Sequence, residues 1–112
     1  MRKLVKYFGA LSDETRIRIL KILLERDCCV CEVMQALDIS QSRASRNLSV
    51  LENAGFVSFR REGLWVVYSV NKRSNDSVNS LLQILSTCME GEEIMKLDKE
   101  RLRRAARIGC NL

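Results

Sequence analysis

The stretch from Phe56 to Val70, "FVSFRREGLWVVYSV", breaks a pattern that is otherwise helical. β-Branched and aromatic residues stand on both sides of "REG", which predicts two antiparallel strands with Glu62-Gly63 at the hairpin tip. The chain on either side returns to helical spacing. The fold class is therefore mainly α with one β-hairpin.

Before the hairpin, Asp13 to Glu25 reads as a helix with Ser12 as N-cap and Asp13 and Glu14 placed for the helix dipole. Ile17, Leu20, Leu23 and Leu24 form its apolar stripe, and a shorter helix from Lys3 to Ala10 precedes it. Val30, Val33, Met34 and Leu37 give a further inward face. "LDIS" breaks that pattern. Ser40 caps the next helix, with Ile39 and Ala44 as a hydrophobic staple and Ala44, Leu48 and Leu51 facing the core. Gly55 ends it. After the hairpin, Ser74 to Met89 places Val78, Leu81, Leu82, Leu85 and Cys88 on one face. Residues 1–90 hold all of these elements, and residues 91–112 form a charged C-terminal helix or tail.

A chain of 112 residues that is 46% hydrophobic and has no proline is sized for one domain with a modest core, which dimerisation would help stabilise. The basic N-terminus lacks the apolar run of a secretory signal, and no stretch approaches the roughly 20 apolar residues of a membrane span. The expected location is the cytoplasm, where the five cysteines stay reduced.

Charge is unevenly distributed. From Gln41 to Arg73 there are six basic and two acidic residues, a net +4, whereas the other 79 residues, 13 basic and 12 acidic, add only +1. Such a concentration is the footprint of a nucleic-acid surface. The helix that opens "SQSRASRNLSVL" turns Ser42, Arg46 and Ser49 outward, flanked by Arg43 and Ser45, and these are groups suited to phosphates and base edges. A helix, a short turn, a basic helix and then a basic hairpin carrying Arg60 and Arg61 make the order of a winged helix-turn-helix.

Three of the five cysteines fall within "RDCCVCEVM", at Cys28, Cys29 and Cys31. In a continuous helix Cys28 and Cys31 would be neighbours while Cys29 pointed about 160° away from Cys31. The three sulfurs converge only if Cys28 and Cys29 precede the first regular turn, or if that turn unwinds. Thiolates select soft ions such as copper(I) and zinc, and arsenic(III) is similarly thiophilic. Cys28 and Cys29 are expected to lie off the helix's core face, exposed. Cys88 reads as a small buried hydrophobe and Cys110 as inert, with a ligand role across a dimer the alternative for Cys110.

The segments "ALSDETRIRILKILL", "VCEVMQALDISQSRASRNLSVLENAGFV" and "RREGLWVVYSV" resemble the ArsR/SmtB family of metal-responsive repressors over roughly residues 3 to 90. The resemblance implies a homodimeric winged helix-turn-helix repressor of a metal- or metalloid-resistance operon, paired through its first helix and the long helix after the wing. It implies operator contacts from Gln41, Ser42, Arg43, Ser45 and Arg46, with Ser49 on the same face, and from Arg61 on the wing beside Arg60. Arsenite-sensing members carry Cys-Val-Cys with a third cysteine three residues on. This chain matches with Cys29-Val30-Cys31 but has Met34 at the third position and Cys28 before the pair, so the implied ligand set is Cys28, Cys29 and Cys31.

The absence of histidine removes the carboxylate-histidine site of zinc-sensing relatives, along with Cys-His and Ser-His-Asp catalysis. Cadmium and lead sensors use cysteines from an N-terminal extension, and no cysteine precedes Cys28. Arsenic(III) or antimony(III) is thus the expected inducer, with no cofactor required, double-stranded operator DNA the partner and no membrane involved. A thiol-redox or persulfide sensor, or a cadmium or lead sensor, of the same fold is the alternative. A thiol enzyme lacks a base to activate its nucleophile.

Overall fold

The computed structural model describes residues 1–107. In chain order it contains α1 (Arg2–Leu11), α2 (Glu14–Glu25), β1 (Cys28–Cys29), α3 (Val30–Leu37), α4 (Gln41–Asn53), β2 (Val57–Glu62), β3 (Trp65–Val70), α5 (Asp76–Thr87) and α6 (Glu93–Arg104). The three strands form one antiparallel sheet in the order β1-β3-β2. No helix among the described residues is long and apolar enough to cross a membrane.

Helix α2 is the centre of the core. The single stripe expected from its sequence is too narrow, because α3, α4, α5, α6 and β3 all pack around this helix. Ile19 and Ile22 are fully buried together with Leu20 and Leu23, while Ile17 and Leu24 are only half-buried. Lys21 is buried as well. Its Nζ donates to the carbonyls of Leu85 (2.9 Å) and Cys88 (2.8 Å) and pairs with Glu90 (3.0 Å). A cation thus closes the carbonyl end of α5, where the helix dipole favours it.

The N-cap of α2 is Asp13, not Ser12. Asp13 is extended and its Oδ1 accepts the N–H of Arg16 at 3.1 Å. The two helices almost abut, and Ser12 is already used as the C-cap of α1, donating to the carbonyl of Gly9 at 2.8 Å. Ser40 caps α4 as read, accepting the N–H of Arg43. The other end of α4 is a Schellman closure: Phe56 N–H donates to Leu51 O at 2.9 Å and Gly55 N–H to Glu52 O at 3.0 Å. Gly55 adopts φ +90°, the left-handed backbone this closure requires. Phe56 and Leu51 are both fully buried, at about 1.5–3 kcal/mol each for side chains of this kind.

The hairpin tip is one residue further on than expected. Glu62 still pairs with Trp65, so the loop is Gly63-Leu64, with Gly63 at φ +61° and Leu64 71% exposed. The long helix after the wing is shorter than read, because Asn75 caps it by accepting the N–H of Val78 at 3.0 Å. Segment 93–104 is a helix whose Met95, Asp98 and Leu102 are buried; Asp98 pairs with Arg18 at 2.8 Å.

Strand β1 was not anticipated. Cys28 pairs with Tyr68 and Cys29 with Val67, which makes the cysteine segment the third strand of the wing's own sheet. Leu4, Val5 and Phe8 on α1, and Ile84 on α5, stay exposed.

Candidate functional site

The polar face begins at α4. Burial of Ala44, Leu48 and Leu51 fixes its roll, and Ser42, Arg43, Arg46 and Ser49 consequently face outward with Gln41 and Ser45 half-buried. Ser42, Arg43, Arg46 and Ser49 lie on the open side of the helix. Arg43 is partly engaged, since its Nη2 donates to the buried Thr15 hydroxyl at 3.0 Å. Among the described residues Arg46 has no side-chain partner.

Sequence reasoning missed the bracket behind this face. Asn47 Oδ1 accepts from Arg16 Nη1 at 3.0 Å, and Arg16 Nε donates to Ala10 O at 2.7 Å. One arginine thus ties α1, α2 and α4 together. No local sequence pattern announces a contact of this kind.

On the wing, Arg60 and Arg61 are consecutive strand residues and so point to opposite faces. Arg60 is occupied: it pairs with Asp27 at 2.9 Å and Glu62 at 2.7 Å and donates to Ser69 Oγ at 2.9 Å. Arg61 is exposed and has no ion-pair partner among the described residues. The two arginines that the sequence presented as equivalent are therefore different. Arg60 braces the wing, and Arg61 takes no part in that bracing among the described residues.

The thiols are separated by backbone geometry. Cys29 is the N-cap of α3, with extended φ −80° and ψ 170°, and Cys31 lies in the first turn. This places Cys29 Sγ 2.7 Å from Cys31 Sγ, so the two sulfurs converge without any unwinding. Cys28 is the preceding strand residue and points to the opposite face, into the apolar core, with its Sγ 3.5 Å from Arg26 O. Among the described residues no three His, Cys, Asp or Glu side chains are grouped to hold a metal ion. The expected exposure of Cys28 and Cys29 is also corrected: they are 0% and 2% accessible, and Cys31 3%, because β1 packs against β3 and α3. Met34 is half-buried against the core, Cys88 is half-buried at the C-cap of α5 and not on its buried face as read, and Cys110 lies outside the described residues.

Burial pushes the Cys28 thiol up to about 12. Burial does the same to Cys29, also to about 12, reinforced by its hydrogen bond with Cys31. These two groups are thiols at neutral pH. Next to them, burial would raise Glu32, but the N–H of Cys29 (2.9 Å) and the Arg26 guanidinium (2.8 Å) win and hold its carboxyl below the usual carboxylate range. Glu32 is the N3 residue of a capping box whose N-cap is a cysteine. Cys-x-x-Glu in place of Ser-x-x-Glu was the sequence signal that α3 starts after Cys29.

Comparison with known proteins adds an independent line. The pattern of the bacterial regulatory protein arsR family matches residues 13–58, from the cap of α2 to the start of β2. The chain is 41% identical over 78 residues to the arsenic resistance transcriptional regulator ArsR2 of Pseudomonas putida, covering 69% of this chain and 68% of that one. It is 43% identical over 67 residues to a cadmium resistance transcriptional regulatory protein CadC homolog of Staphylococcus aureus, covering 59% of this chain and 55% of that one. The homodimeric winged helix-turn-helix DNA-binding domain of a possible ArsR-family regulator from Mycobacterium bovis superposes with TM-score 0.66 at 26% identity, covering 75% of each chain. The outward α4, the braced hairpin and these likenesses agree: the chain belongs to the arsR family of winged helix-turn-helix transcriptional regulators, whose members are DNA-binding proteins and not enzymes.

Proposed function

We propose that this protein is a metalloid-responsive repressor that holds operator DNA as a homodimer in the cytoplasm and lets go when arsenite or antimonite binds its thiols. The observation that carries this reading is the sulfur pair of Cys29 and Cys31, 2.7 Å apart at the N-terminus of the helix that precedes the reading helix. The arsenic resistance regulator among its relatives supports the choice of inducer.

Helix α4 enters the major groove, with Gln41, Ser42, Arg43, Ser45, Arg46 and Ser49 on base edges and phosphates and Arg61 on the flanking backbone. The exposed apolar side chains of Leu4, Val5, Phe8 and Ile84 form the dimer seam, a pairing supported by the homodimeric relative. Two-fold symmetry then sets half-sites about one helical turn, ~34–36 Å, apart.

Arsenous acid, As(OH)₃, condenses with protonated thiols. Each As–S bond that forms replaces one As–O bond and releases one water, with no net proton change. Cys29 and Cys31 supply the first two bonds, and their sulfurs spread from 2.7 Å to take the arsenic between them, which moves Cys29. Cys28 supplies the third only by crossing to the other face of β1, which costs its pairing with Tyr68 in the wing sheet. Ligand energy is thereby spent on displacing β1 relative to β3 and α3. Complete switching from 99% to 1% competent requires ~5.5 kcal/mol of differential binding.

The test uses purified protein on a duplex it selects from a randomised pool. Arsenite should release the wild type. Cys31→Ser should bind DNA normally and ignore arsenite; normal release from that variant would overturn the assignment. Cadmium in a parallel arm distinguishes the sensing class suggested by the Staphylococcus relative. The adjacency of the Cys29 and Cys31 thiols supports one second reading, a dithiol switch. Hydrogen peroxide would take two electrons and two protons from the pair, giving one disulfide and two waters. Release by peroxide without arsenic identifies it.

A further inference from the structure

Six charged side chains thread from the wing to the thiol end of α3, and Arg107 stands between the two. Its Nη1 donates to Glu62 Oε1 on β2 at 3.1 Å, and its Nε lies 3.6 Å from Glu32 Oε1 on α3. It is delivered there by a pinned backbone. Gln35 donates through Nε2 to Ala106 O at 2.7 Å and accepts through Oε1 from Ala106 N–H at 3.2 Å, copying the two bonds of a backbone pair. One turn earlier, Leu102 is buried and its carbonyl accepts from Arg26 Nη2 at 3.0 Å.

The connections close into a ring. Glu32 Oε1 also accepts the N–H of Cys29. Glu62 pairs with Arg60, and Arg60 pairs with Asp27, the residue before Cys28. From Cys29 the path therefore runs out through Glu32, Arg107 and Glu62 to the wing, and back through Arg60 and Asp27 to β1. Nothing in DNA reading or in thiol chemistry calls for this arrangement, and three carboxylates and three arginines are committed to it.

We propose that Arg107 is a positioning residue that locks the wing to the thiol-capped end of α3, so that occupation of Cys29 and Cys31 reaches the wing through Glu32, Arg107 and Glu62. The inference rests on the sensing function stated above. A ligand on Cys29 moves the residue whose N–H Glu32 holds. Glu32 then shifts against Arg107, Glu62 loses Arg107 and keeps only Arg60, and the wing tilts away from the angle that suits α4 on the duplex. The lock is ionic and half-exposed, so it contributes little to folding, and variants that lack it should be stable.

Three variants test it: Arg107→Ala, Glu62→Gln and Arg107→Lys. The quantity read is the factor by which sodium arsenite weakens binding to the selected duplex. Arg107→Ala and Glu62→Gln should each lower that factor at least fivefold, and Arg107→Lys should keep it within twofold of wild type. Loss of a positive charge and loss of a negative charge alter plain electrostatic attraction to DNA in opposite directions, so a shared fall in the factor is not a charge effect. If both variants keep the wild-type factor and change only arsenite-free affinity, the lock is refuted. If wild-type protein itself ignores arsenite, the sensing function falls instead. Amide hydrogen exchange over Phe59–Val67 then decides the lock alone. A rise of threefold or more in Arg107→Ala and Glu62→Gln, with α4 unchanged, upholds it, and unchanged exchange overturns it.

Discussion

The two helices of the helix-turn-helix are held in place by different forces. α4 is fixed by apolar burial of Ala44, Leu48 and Leu51, by a serine cap and a Schellman closure, and by the Arg16–Asn47 bracket. The N-terminus of α3 also buries Cys28, Val30 and Val33, but its cap is fixed by a two-residue strand, a cysteine and a chain of ion pairs. Close-packed apolar contacts have one arrangement and resist displacement. Strand edges and half-exposed ion pairs are individually weak and can be exchanged for other partners. The comparison teaches that the helix proposed to read DNA is held rigidly, and the end proposed to sense is held by bonds that a ligand could exchange.

The comparison can be broken most forcefully at Leu48. Leu48→Ala should cost ~2–5 kcal/mol of stability in urea unfolding and abolish DNA binding with the fold. A loss under ~1 kcal/mol would mean that α4 is not held by its core face. Next comes Arg46→Ala, which should weaken specific DNA binding by about 1–3 kcal/mol in a fluorescence titration and leave unfolding unchanged.

At the N-terminus of α3, Glu32→Gln should cost ~1.5–3 kcal/mol near neutral pH, the usual worth of hydrogen bonds to a charged group. The pH dependence carries a sign. The folded carboxyl lies below its ordinary value of 4.5, so its contribution is present above that value and is lost as pH falls through the lower folded one. Glu32→Gln should therefore flatten the acid limb of the stability curve, and an unchanged limb would refute the assignment. Arg61→Ala should lower the salt slope of DNA binding by about one, whereas Arg60→Ala should lower it by less because that side chain is already paired. The smallest effect is at Cys29→Ser, where an oxygen replaces sulfur in the capping box. Stability should change by under ~1 kcal/mol while thiol-dependent release disappears.

How far the sequence was legible follows the same division. The span of α3, the Ser40 cap, the Gly55 closure and the two strands of the hairpin could be read because each is set by residues within about four positions, through periodicity or capping. The outward set on α4 followed from its inward set. Ser12 and Asp13 were exchanged because the end of the preceding helix competed for the serine. The cysteines were only half legible. Spacing showed that the sulfurs converge only outside a regular helix, but the partner that holds Cys28 and Cys29 extended, β3, lies far along the chain.

By itself, then, the sequence determined the order of α1 to α5 and of the hairpin, the roll of α4 and the concentration of positive charge, all of them local properties of spacing and residue type. Tertiary structure alone decided that Cys29 meets Cys31 while Cys28 turns away, that Arg60 braces the wing while Arg61 has no ion-pair partner among the described residues, and that Arg107 reaches Glu62 across 45 residues. Those outcomes depend on which strand face or guanidinium a distant segment occupies, and the packing of α6 and the wing around α3 settles that choice.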